Sequence, residues 1–179
     1  TLGGVLAATE PVLLAERPDA VLVLGDTNSC FAAIMAKRMG IPVFHMEAGN
    51  RCFDDNVPEE TNRRIVDHTA DFNLCYTEHA RRNLLAEGLP ARRVFVTGSP
   101  IAEVLATFAD RIEASDVLTR LALTPGEYYV LAMHREENVD DPARLAGLIA
   151  AVEGLARDTD RPVVVSTHPR LRQRLRNPA

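Results

Sequence analysis

The chain alternates short apolar runs with longer stretches of helical periodicity. Residues 1–19 read as an amphipathic helix entering a strand, and Ala20–Leu24 is a continuous apolar run ending in Gly25-Asp26, the pattern of a buried parallel strand. Asn28–Met39 has helical spacing and is closed by Gly40 as a C-terminal glycine. Pro42–Met46 predicts the next strand and Glu47–Val57 a loop. Glu59–Thr69 follows as a helix, Phe72–Tyr76 as a strand, Glu78–Glu87 as a helix and Arg93–Thr97 as a strand. Ser99–Leu123 breaks the rhythm: it is helical, interrupted near Ala114-Ser115, and contains no strand. The alternation restarts with Tyr128–Met133 as strand, Pro142–Arg157 as helix and Pro162–Thr167 as strand. Such alternation predicts an α/β fold with parallel sheets. It divides into residues 1–100, a helical connection at 101–124, and the start of a second module at 125–179. Both modules read as incomplete, and both ends read as cut through a larger fold.

Composition narrows the function classes. The 179 residues are 46% hydrophobic and 25% charged, with a net charge of −5, which suits a soluble globular protein and does not invite nucleic acid or an anionic membrane. Aromatics make up 5% and Trp is absent, so a stacking platform for sugars or bases is not expected. The three cysteines, Cys30, Cys52 and Cys75, have no paired spacing, which argues against a disulfide framework and a zinc site and points to a reducing cytoplasm. No apolar run approaches a membrane span and the start is not a signal peptide.

Ligands of open α/β sheets bind beyond the carboxyl ends of the strands. The polar residues there are Asp26, Glu47, the run His134-Arg135-Glu136-Glu137-Asn138, and His168. If the first two strands are neighbours, about 4.8 Å apart, Asp26 and Glu47 face one crevice. Two carboxylates sharing a pocket push one pKa upward, which suits an acid and a base. Each residue also has a plainer reading. Asp26 fits a helix cap, and Glu47-Ala48-Gly49 fits a turn. Asn56 with Glu59 forms a capping-box spacing around Pro58, and Glu60 with Arg63 or Arg64 has the spacing of surface ion pairs. His134 fits a structural histidine at a strand end, His45 and His68 read as structural, and His79 as a local partner on its helix. There is no glycine-rich phosphate loop and no two-histidine zinc spacing, so neither a catalytic metal nor a redox cofactor is predicted.

In order along the chain, Val-Leu-Gly-Asp-Thr at 23–27, His-Met-Glu-Ala-Gly at 45–49, Pro-Glu-Glu-Thr-Asn-Arg at 58–63, Thr-Gly-Ser-Pro at 97–100 and His-Arg-Glu-Glu-Asn at 134–138 resemble the non-hydrolysing UDP-N-acetylglucosamine 2-epimerases. The likeness covers nearly the whole chain. It implies two Rossmann-like domains of glycosyltransferase-B type, no cofactor, a UDP-amino sugar substrate with UDP as leaving group, and a homodimer. By position, Asp26, Glu47 and Glu59 match the family's catalytic carboxylates, and His134 the histidine near the leaving UDP. Arg63 would act electrostatically or in positioning, Arg135, Glu137 and Asn138 in substrate binding, and His168 near the nucleotide. Asn50 stands where the main enzymes usually carry Leu. With the Glu59–Thr69 stretch, it resembles the branch forming UDP-N-acetyl-L-fucosamine for surface polysaccharides. The family's amino-terminal Gly-Thr-Arg-Pro-Glu loop and its later UDP-gripping region are not in these residues, so the chain alone is expected to be inactive. A hydrolysing 2-epimerase, a glycosyltransferase of the same architecture, and an inactive UDP-sugar-binding module remain the competing readings.

Overall fold

The computed structural model describes residues 2–133, 136–167 and 169–176. These form two compact units, Thr1–Thr107 and Phe108–Ala179. The first contains α1 (Leu2–Glu16), β1 (Val21–Leu24), α2 (Ala32–Arg38), β2 (Val43–Met46), α3 (Pro58–Thr69), β3 (Phe72–Cys75), α4 (Glu78–Ala86), β4 (Val94–Val96) and α5 (Ile101–Thr107). Its sheet runs β1-β2-β3-β4, every pair parallel. The second unit contains α6 (Ala109–Glu113), α7 (Val117–Arg120), β5 (Tyr129–Ala132), α8 (Glu136–Val139), α9 (Pro142–Thr159), β6 (Val163–Ser166) and α10 (Pro169–Arg176), with β5 and β6 parallel. The expected parallel-sheet α/β class holds, and each predicted strand lies within a residue or two of its observed limits.

Sheet register explains the core. Val23, His45, Asn73 and Val94 are cross-strand partners on one face, and all four are buried. Cys30, Phe31, Ala33, Ala36 and Val66 pack with that face near β1 and β2, and Ala48, Cys75, Ala80 and Leu84 near β3 and β4. Leu24, Met46, Leu74 and Phe95 are partners on the opposite face. That face stays open: Leu22 is 61% exposed, Leu24 63% and Phe95 46%. Phe44 stacks on Phe72 there, with ring centroids 4.9 Å apart.

Three local expectations are corrected. The opening helix forms, but its apolar residues lie on more than one side: Leu13 is buried while Val12 and Leu14 beside it are exposed. The 28–39 helix begins as a tight turn at Asn28–Phe31 before α2. Ser99–Leu123 divides into α5, α6 and α7, with breaks at Phe108 as well as at Ala114–Asp116. Gly40 closes α2 as predicted, with φ +78° and its N–H donating to the Lys37 carbonyl at 3.1 Å.

Candidate active site

Parallel pairing of β1 with β2 puts Leu24 beside Met46, so Gly25-Asp26 and Glu47 emerge together at the carboxyl ends of neighbouring strands. The Gly25 N–H donates to the Met46 carbonyl at 3.2 Å, extending the ladder one step into the turn. Gly25 has φ +75°, and a side chain built there would meet Glu47 Oε2 at 3.4 Å. The left-handed backbone is what favours glycine there, and the contact distance places the Glu47 carboxylate against the turn that carries Asp26. Glu47 itself has φ +68°, a strained value for a non-glycine residue that re-aims its side chain at the strand end. Tyr76, at the end of β3, has its phenol pKa raised by burial and by the Glu47 charge, so it belongs to the same strand-end cluster.

Helix α3 supplies the cations. Arg63 donates to Asp26 Oδ2 from Nε at 2.9 Å and from Nη2 at 2.7 Å, and its Nη1 reaches Glu60 Oε2 at 3.1 Å. Asn62, one residue earlier, donates to the Asp26 carbonyl at 2.9 Å and to Asn28 Oδ1 at 3.1 Å. Two successive side chains of α3 thus hold the Asp26 turn by its carboxylate and its backbone. The helix-cap reading of Asp26 is thereby corrected: its carboxylate goes to Arg63, and Thr27, at the head of the tight turn, makes no side-chain cap.

Glu59 and Glu60 are neighbours in sequence with opposite environments. Glu59 is exposed on the first turn of α3. Glu60 is 1% exposed and accepts from the Cys52 N–H at 3.0 Å, the Cys52 thiol, Arg63 and Arg64. Burial alone would raise its pKa, but those donors outweigh burial and hold it down to about 2. The surface-pair expectation for Glu60 was right in partner and wrong in depth. The Asn56–Glu59 capping box does not form: Val57 occupies the cap position, and Asn56 donates to Asp54 instead.

Beneath these turns lies a buried ionic layer. Asp67 accepts from His45 Nδ1 at 2.8 Å, from Arg51 Nη1 at 2.7 Å and from the Gly49 N–H. Arg51 also pairs with Glu87 at 2.6 Å, and Glu87 with His68 at 3.0 Å. Burial opposes the Arg51 charge, but the bonds to Glu87 and Asp67 push its pKa upward; Glu87 is held low mainly by Arg51. His45 is buried against Asp67, and His68 sits at the exposed edge of the layer against Glu87. The depth of Asp67, Arg51 and Glu60 was missed, because charged side chains inside a Pro-Glu-Glu or Glu-Ala-Gly-Asn-Arg stretch look like surface residues until the sheet places them. Gly49 shows why that motif ends in glycine: with φ +81°, a side chain there would lie 2.3 Å from the Ala80 carbonyl oxygen.

Among the other expected site residues, Glu137 and Asn138 lie in α8 of the second unit. His134, Arg135 and His168 fall outside the described residues. Among the described residues no three His, Cys, Asp or Glu side chains gather as a metal site requires, and no helix is long and apolar enough to cross a membrane. A hollow of about 320 Å³ lined by Lys37, Pro42, Asp71 and Arg93 lies toward the amino ends of β2 and β3, away from the carboxylates.

The family model for UDP-N-acetylglucosamine 2-epimerase matches residues 1–179. The chain belongs to that family. A UDP-N-acetylglucosamine 2-epimerase of Methanocaldococcus jannaschii is 37% identical over 178 residues, covering 97% of this chain and 49% of the relative. Its crystal structure with UDP-GlcNAc and UDP superimposes with a TM-score of 0.89 at 36% identity, over 98% of this chain and 49% of that one. The Rickettsia bellii UDP-N-acetylglucosamine 2-epimerase structure gives 0.88 at 48% identity, over 99% and 47%. A Pseudomonas aeruginosa UDP-2,3-diacetamido-2,3-dideoxy-D-glucuronate 2-epimerase is 37% identical over 174 residues, covering 95% of this chain and 48% of the relative. The chain thus spans about half the length of these relatives. The two α/β units match the Rossmann-like, glycosyltransferase-B-type fold expected from the motifs.

Proposed function

We propose that the full-length protein inverts C2 of a UDP-linked N-acetyl amino sugar by eliminating and re-adding UDP. The observation that carries this reading is the pairing of Asp26 and Glu47 on adjacent parallel strand ends, with Arg63 bonded to Asp26, in a chain of the 2-epimerase family. The C2 proton of such a sugar has no neighbouring carbonyl to stabilise a carbanion. Breaking the bond from C1 to the UDP oxygen first places positive charge at C1 and acidifies that proton. A carboxylate then removes it, giving a 1,2-unsaturated glycal. Re-addition of UDP, with protonation of C2 on the other face, completes the inversion. Proton transfer at two faces requires acid and base groups on different supports, a role assigned to Asp26 and Glu47 in the turns after β1 and β2 and to Glu59 on α3. Arg63 limits repulsion around Asp26, and His134 is assigned to the leaving diphosphate, whose charge grows in the transition state. Arg135, Glu137, Asn138 and His168 are assigned to substrate and nucleotide binding.

UDP-GlcNAc is the first substrate to test. The resemblance of Asn50 and the Glu59–Thr69 stretch to the UDP-N-acetyl-L-fucosamine-forming branch supplies a second reading, and the Asn50 amide donates to Glu47 Oε1 at 3.3 Å. The cell role proposed is cytoplasmic synthesis of a polysaccharide precursor by a homodimer. Incubation of the full-length protein in deuterium oxide with UDP-GlcNAc, and separately with a UDP-6-deoxy-L-amino sugar, tests the chemistry. Deuterium at C2 of an intact UDP-sugar supports epimerisation and identifies the branch. Release of free sugar and UDP would favour a hydrolysing epimerase. UDP binding without exchange would leave a transferase or a binding module.

A further inference from the structure

We propose that His45 carries a proton on both ring nitrogens and acts as a positioning residue, locking the turn of Asp26 to the turn of Glu47 through Asp67. Its side chain is 1% exposed and projects from β2 into the helix-covered face. Nδ1 lies 2.8 Å from Asp67 Oδ1 and Nε2 lies 3.0 Å from the Gly25 carbonyl oxygen. Asp67 already faces the Arg51 guanidinium at 2.7 Å and takes the Gly49 N–H, so it is an ionised acceptor with no proton to give. The Gly25 carbonyl only accepts. Both ring nitrogens therefore donate, and the ring is an imidazolium.

The charges around it balance. His45 and Arg51 are the cations, and Asp67 and Glu87 the anions, with His68 at the outer edge against Glu87. The nearby thiols of Cys30 and Cys75 are pushed up to about 11, chiefly by burial, with help from Asp26 and then Asp67 at Cys30 and from Asp67 at Cys75, and so contribute no charge at neutral pH. A neutral His45 would leave either an acceptor facing an acceptor or Asp67 short of a donor, both costly in a buried site.

The chain of contacts ends on the two backbone groups that frame the carboxylates. His45 holds the Gly25 carbonyl, one residue before Asp26. Asp67 holds the Gly49 N–H, two residues after Glu47. The spacing of the two carboxylates is thus set from below by one imidazolium–carboxylate pair that touches neither of them. This rests on the proposed role of Asp26 and Glu47.

Two substitutions in the full-length protein separate positioning from plain packing. His45→Asn places an amide donor near the Nδ1 position and keeps Asp67 satisfied while releasing Gly25; His45→Gln reaches Gly25 and releases Asp67. His45→Asn is expected to lower kcat for C2 exchange roughly 10-fold to 100-fold, the scale of a small misplacement of reacting groups, with KM within about threefold. His45→Gln is expected to retain more of kcat than His45→Asn. Nitrogen-15 NMR of the unsubstituted protein is expected to show His45 protonated at both nitrogens at neutral pH. A folded His45→Asn protein with unaltered kcat, or a His45 ring with a single proton, would overturn the proposal. If the unsubstituted protein exchanges no C2 proton with any UDP-amino sugar, the epimerase reading fails, and the NMR result still decides the state of His45.

Discussion

Five carboxylates around the strand ends of the first unit fall into two layers. The upper layer, Asp26, Glu47 and Glu59, stands at strand ends and on the first turn of α3, open or half-open to solvent. The lower layer, Glu60 and Asp67, is buried, and its acceptors are filled by Arg51, Arg63, Arg64, His45 and the Cys52 and Gly49 N–H groups. Sequence neighbours are split between layers: Glu59 is exposed where Glu60 is enclosed. The difference separates two jobs. A carboxylate that must move protons needs an unfilled lone pair facing the substrate, whereas one that fixes loops needs all of its lone pairs filled.

Breaking the lower layer should cost stability first. Asp67→Ala is expected to have the largest effect, about 4 kcal/mol in urea denaturation, because it leaves the Arg51 guanidinium and the buried His45 without their shared anion. Glu60 gives a pH signature. Its pKa falls from an ordinary value of 4.5 to about 2 on folding, so its contribution is complete above the unfolded value and is lost as pH drops through 4.5 toward 2. That contribution is roughly 3 kcal/mol. Glu60→Gln should lower stability at neutral pH and flatten this part of the acid-denaturation curve. Gly49→Ala comes next, at about 3 kcal/mol or slightly less, since it combines a left-handed backbone with a clash against the Ala80 carbonyl. The upper layer should give the smallest change in stability. Glu47→Gln and Glu59→Gln are expected to stay within about 0.5 kcal/mol of the unsubstituted protein in the same denaturation experiment.

The sequence showed the strand ends more clearly than the layers. Ala20–Leu24 and Pro42–Met46 are legible because buried parallel strands are apolar throughout, and the pairing of Asp26 with Glu47 follows from adjacency of those strands. Depth on α3 was not legible. Helical spacing predicts that Glu60 meets Arg63 and Arg64, but only the position of the 47–57 loop shows that the Cys52 N–H closes over it. Asp67 looked like any acid in a polar helix until β2 brought His45 against it. The open sheet face could not be foreseen either, since an apolar strand reads the same whether its second face is covered or bare. That bare face, with Leu22, Leu24 and Phe95 exposed, accords with a chain spanning about half of its relatives.

The most direct test of the two-layer account measures C2 deuterium exchange and urea stability together on full-length Glu47→Gln. The account predicts exchange slowed by at least about 100-fold, the scale of a lost general acid or base, in a protein as stable as the original. Exchange within threefold of the original, or a loss of activity that tracks a loss of folding, would contradict it.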